Sequence, residues 1–125
     1  MSDTKNDFIA EFKNRTKKLA LDAIKLFQAL PKTEEARVLG KQFLRSATSV
    51  AANYRAVCRA RSKAEFYAKL SITVEEADET ALWLELLIES EIMNREITKN
   101  LLKETNEIVA VLAKARKTAS EKQNE

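Results

Sequence analysis

Glycine and proline each occur once in this chain, as Gly40 and Pro31. A sheet of several short strands needs frequent turns, and turns draw on those two residues for positive or preset φ angles. One of each in 125 residues leaves long, uninterrupted helices as the economical solution. A composition 45% hydrophobic and 33% charged suits amphipathic helices that bury one face. The expected fold class is all-α, and the length fits a single domain spanning 1–125.

Periodicity divides the chain into four helices. Phe8, Phe12, Leu19, Ala23, Leu26 and Leu30 follow steps that keep them on one stripe, which Pro31 ends. Thr33 followed by Glu34 and Glu35 is an N-cap with acids at the positive end of the next helix dipole. That second helix carries Ala36, Leu39, Phe43, Ala47, Val50, Tyr54 and Val57 on its stripe. Ser62-Lys63-Ala64-Glu65 has the form of a capping box and starts a third helix, with Phe66, Leu70, Val74, Ala77, Ala81, Leu84 and Ile88 inward. Asn94 is the expected cap of a fourth, with Ile97, Leu101, Ile108, Leu112 and Ala115 inward. The spacing predicts helices over about 5–30, 34–60, 63–90 and 95–118, with a disordered tail at 119–125. Short connections make sequence neighbours antiparallel, so the expected architecture is an up-down-up-down four-helix bundle with helices roughly 36 Å long.

The third helix has a second apolar side. At about 100° per residue, Ile72, Leu82, Trp83 and Leu86 fall opposite the core stripe, and Ala68 joins them. A bundle of four helices offers this side no further partner, so these residues predict a homo-oligomer interface.

Several chemistries are excluded or weakened by residue type. The absence of histidine removes His-based acid-base, nucleophilic and metal-binding designs. Cys58, the lone cysteine, sits beside the apolar stripe of the second helix and reads as a small core residue, and there is no glycine-rich phosphate loop. Glu75, Glu76 and Glu79 are better partners for arginines than metal ligands. The chain is therefore expected to be non-enzymatic, with no catalytic residues, cofactor or metal. The charged N-terminus lacks a signal-peptide core, and the longest uncharged run, Ser46–Tyr54, is too short and polar to span a bilayer. A cytoplasmic location without membrane contact is expected.

Charge is unevenly distributed along the chain. From Ala36 to Ala64 there are seven Lys or Arg and no acid; from Leu70 to Asn94 there are seven acids and no Lys or Arg. On the second helix Arg37, Lys41, Arg55 and Arg59 lie within about 40° of one another, and Arg61 and Lys63 extend the stripe at the turn. Such a stripe can neutralise the phosphates of RNA or DNA, or it can be a solvated or subunit-pairing face. With few aromatics interleaved, nucleic acid contact here is expected to be backbone-directed and salt-sensitive. Arg45, Ser49 and Asn53 form a polar ladder at the edge of the core, flanked by the small Ala52 and Ala56. The antiparallel register brings Arg45 opposite Asp78 and Glu79, with Glu79 its expected partner.

The run Arg45-Ser46-Ala47-Thr48-Ser49-Val50-Ala51-Ala52-Asn53, followed by Arg61-Ser62, Phe66, Leu70, Ile72, Glu79 and Leu84, resembles proteins encoded in 23S ribosomal RNA intervening sequences. The resemblance covers about residues 8 to 115, with Glu75 and Glu76 standing where a Gly-Ser pair is often found. It implies an up-down four-helix bundle, a homopentamer and no established enzyme activity. The related accessory proteins of diversity-generating retroelements are similar in fold, and this implies a basic surface for nucleic acid.

Overall fold

The computed structural model describes residues 3–123 and consists of four helices in sequence order. They are α1 (Asp3–Ala29), α2 (Glu34–Cys58), α3 (Lys63–Glu89) and α4 (Glu96–Gln123). Each is joined to the next by a short connection, and the contacts run α1 to α2, α2 to α3 and α3 to α4. The bundle is closed only thinly between α1 and α4.

The helix ends follow from local chemistry. α1 stops at Ala29 because the residue before Pro31 is driven out of the helical region. Thr33 Oγ1 accepts from the Ala36 amide at 3.3 Å and opens α2. Ser62 Oγ accepts from the Glu65 amide at 3.0 Å and opens α3. Only that half of the expected capping box is made, since the Glu65 carboxylate turns toward Arg61 at 3.8 Å. The start of α4 differs from expectation: Asn94 donates to the Glu91 carboxylate at 3.0 Å, and the Arg95 carbonyl receives the first amides, from Thr98 and Lys99. Glu91 takes a left-handed φ of 68°, which ends α3 and lets the Met93 amide return to the Leu87 carbonyl. α4 also passes its expected end at 118, so residues 119–123 are helical, and the rest of the expected tail lies outside the described residues.

The core is built from the predicted stripes. Phe43, Leu19, Leu70, Leu84, Ile108 and Leu112 are fully buried, with Ala23, Ala36, Ala47 and Ala77 filling the close approaches between helices. Gly40 sits where α2 crosses the end of α1. A Cβ there would meet Leu30 Cδ1 at 2.6 Å and the Phe27 ring at 3.0 Å, so the missing side chain permits the approach. Three stripe residues are exposed instead of inward: Phe8, Phe66 and Ile97. All three lie in the first two turns of their helices, where the bundle runs out of neighbours.

Polar groups also enter the core. Thr16, Ser46, Thr73, Thr80, Thr98 and Thr105 are buried, and all but Thr98 hydrogen-bond a carbonyl of their own helix. One pair crosses between helices: Thr80 Oγ1 is 2.9 Å from Ser46 Oγ and 2.7 Å from the Glu76 carbonyl, while Ser46 Oγ is 3.1 Å from the Phe43 carbonyl. Two hydroxyl protons thus serve three short contacts, which fixes α2 against α3 at mid-height.

Candidate nucleic-acid interface

Phe12 and Tyr54 meet edge to face at 4.9 Å, and Phe8 stacks on Phe12 at 5.7 Å. This aromatic contact locks α1 to α2, and the residues beside it in sequence, Lys13 and Arg55, are held on either side of one trough. Four residues along each helix come Lys17 and Arg59, which a helix places on nearly the same face about 6 Å further on. Ala51, Ala52 and Ala56 form the floor, and their small side chains leave the trough open to about 660 Å³. Arg61 and Glu65 stand at one end of it.

The electrostatics of this trough are one-sided. Among the described residues Lys13, Lys17, Arg55 and Arg59 have no carboxylate within ion-pair distance. The single acid in the lining, Glu65, contacts Arg61 at 3.8 Å, and the Arg61 side chain remains 88% exposed. Burial, with Cys58 one turn on as a lesser cause, pushes the Tyr54 phenol well above its ordinary pKa. Tyr54 is therefore a neutral structural residue beneath the cations. Cys58 itself is exposed, and not in the core as its place beside the apolar stripe suggests, because it lies at the last turn of α2.

The predicted stripe is divided by the structure. Arg55, Arg59 and Arg61 join the trough, whereas Arg37 lines a separate cleft of about 280 Å³ with Phe27, Pro31 and Lys32 at the opposite end of α2. Lys41 is exposed on the outer surface. Fourteen residues separate Lys41 from Arg55, about 21 Å along the helix, so the two halves do not form one contact surface. Lys63 faces another cleft, of about 630 Å³, at the end of the bundle with Lys5, Phe66 and Lys122, and Arg61 lines this one as well.

Arg45 has a different role. Its NH2 is 2.8 Å from Glu79 and its NH1 is 3.0 Å from Glu76, a fork spanning one turn of α3. The hydrogen bond to Glu76 is the main cause that holds the guanidinium pKa above its ordinary value. Glu79 is thus the partner the register indicates, and Glu76 supplies a second. Asn53 donates to the Ser49 carbonyl at 2.9 Å, so the lower part of the ladder closes on its own helix. On α3, Ile72, Leu82 and Leu86 are exposed, while Trp83 is half-buried against the core, with its indole nitrogen enclosed and unpartnered among the described residues.

Some residues of the candidate site are not legible in the sequence. Lys13 and Lys17 carry a visible four-residue spacing, but assigning them to the α2 arginines requires the α1/α2 packing angle. Arg15 is bidentate to Glu104 at 2.7 and 2.8 Å and is the main polar tie between α1 and α4. Among the described residues no group of three or more Cys, Asp or Glu side chains could hold a metal ion. Among the described residues no helix is long and apolar enough to cross a membrane.

Four antiparallel helices around a mixed alanine and leucine core define a helical bundle protein, with a group of cations along the α1/α2 trough. Residues 10–114 match the family described as 23S rRNA-intervening sequence protein, and the chain belongs to that family. A solved structure from Bacteroides thetaiotaomicron, a protein of unknown function from the S23 ribosomal protein family, is similar. It shares 36% identity over 87% of this chain and 97% of its own, with a TM-score of 0.79. Comparison with curated proteins finds no match.

Proposed function

We propose that the chain is a non-catalytic helical bundle that binds the phosphate backbone of RNA or DNA through the trough between α1 and α2. The observation that carries this is the contrast in pairing: Lys13, Lys17, Arg55 and Arg59 converge from two helices with no acid among them. Arginine brings forked donors and lysine a mobile point charge, and an open trough admits a continuous polyanion better than a small anion. The test is binding of labelled RNA and DNA across a salt series. The wild type should lose affinity with rising salt at about 0.7 to 0.9 log units per phosphate contact per log unit of salt. Reversing all four cations to Glu should abolish that slope. Unchanged binding in the variant overturns the proposal.

A second reading is favoured by Ile72, Leu82 and Leu86. These exposed apolar residues alternate with Glu75, Glu79 and Glu85 along α3, and an acidic, apolar face complements a basic trough on the next copy. A heterologous contact of that kind makes a ring where the rotation between copies closes, as in the pentamer expected from the resemblance. Sedimentation of Leu82→Glu tests it, since Leu82 is 45% exposed and can be changed without opening the core. A smaller particle than wild type supports assembly through this face; an identical one removes it.

A further inference from the structure

Phe66 occupies a core position by periodicity, yet it is 37% exposed while Leu70, one turn further along α3, is 1% exposed. Its ring lines the end cleft of about 630 Å³. The remaining apolar wall comes from alanines of α4 and of the α2–α3 turn, and the rim carries Lys5, Arg61, Lys63 and Lys122. No carboxylate lines this cleft among the described residues. An aromatic surface ringed by cations matches a ligand with flat π faces and regularly spaced negative charge.

Resting on the function proposed above, we infer that the preferred ligand is single-stranded nucleic acid, with one base stacked on Phe66. Its backbone passes from the end cleft over Arg61 into the α1/α2 trough. Arg61 lines both spaces, and its exposed side chain, whose one ion-pair partner among the described residues is Glu65 at 3.8 Å, can follow the strand. A duplex hides its base faces in the stack and offers only phosphates and groove edges, so it cannot use Phe66. A single strand presents both the faces and the charge. The trough alone would be indifferent to bases, and the end cleft makes the site sensitive to them.

The experiment compares three probes on the full chain: a labelled single-stranded RNA, the same sequence as a duplex, and an abasic strand with the same number of phosphates. Wild type should bind the single strand roughly 5- to 150-fold more tightly than the abasic strand, the range expected for one stacked base. Phe66→Leu, which keeps an apolar side chain in place, should erase that difference and leave abasic binding unchanged. Phe66→Trp should retain it. Equal wild-type affinity for single and abasic strands overturns the inference, as does duplex binding as tight as single-strand binding, or an equal loss of both probes in Phe66→Leu. If abasic binding disappears when the trough cations are reversed but bases make no difference, the proposed function stands and this inference falls. If wild type binds no probe, both fall.

Discussion

Arg45 and Arg55 lie ten residues apart on the same helix and meet opposite fates. Arg45 looks across to α3, which is acidic at that level, and its guanidinium is occupied by Glu76 and Glu79. Arg55 looks toward α1, where its neighbours are Lys13 and Lys17 over an alanine floor. The residue type is the same, and the facing helix decides whether it holds the fold together or remains available to a ligand. A basic residue count along α2 cannot separate these roles; the partner helix does.

The comparison breaks most sharply through binding. Reversing Lys13, Lys17, Arg55 and Arg59 should weaken polyanion affinity at low salt by about 100-fold or more, with the thermal midpoint nearly unchanged. Arg45→Gln should leave affinity as it is, and a large loss there would erase the distinction between the two clusters. The pinned region should respond in stability instead. Thr80→Val removes the hydroxyl that links Ser46 to the Glu76 carbonyl, and chemical denaturation should show a loss of about 1–2 kcal/mol. Arg45→Gln should cost less, about 0.5–1 kcal/mol, because its side chain is 49% exposed and solvent screens the fork. Tyr54→Phe sharpens the contrast last. Burial raises the phenol pKa in the folded state, so its contribution is complete below the ordinary value near 10 and is lost as pH climbs above it. Stability measured at rising alkaline pH should therefore fall less steeply in Tyr54→Phe than in wild type.

Much of the fold was legible because helical periodicity is strong where neighbours exist on both sides. Leu19, Phe43, Leu84 and Ile108 are buried as their spacing indicates. Phe8, Phe66 and Ile97 share that spacing but sit near helix ends, and periodicity carries no information about where the bundle stops. The antiparallel register brought Arg45 to Glu79, since that step needs only one short turn. Glu76 one turn earlier was left out, because an arginine fork spans more than a single register position. The candidate site was half legible. Arg55, Arg59 and Arg61 lie on one visible stripe, whereas Lys13 and Lys17 join them only through the Phe12–Tyr54 contact between α1 and α2. Arg37 and Lys41 share the stripe's direction but not its position along the axis.

The thin closure between α1 and α4 has a kinetic side. The other helix pairs in contact are adjacent in sequence and joined by short connections, so they assemble with little loop entropy to overcome. The α1–α4 seam brings the two ends of the chain together and rests largely on the Arg15–Glu104 fork, with a cleft of about 530 Å³ beside it lined by Leu19, Leu26, Ile97 and Leu101. It is the place where the protein should open first. Amide hydrogen exchange should then begin along α1 and α4 while α2 and α3, clamped by Ser46, Thr80 and Arg45, remain protected, making the central hairpin the slowest-exchanging unit of the molecule.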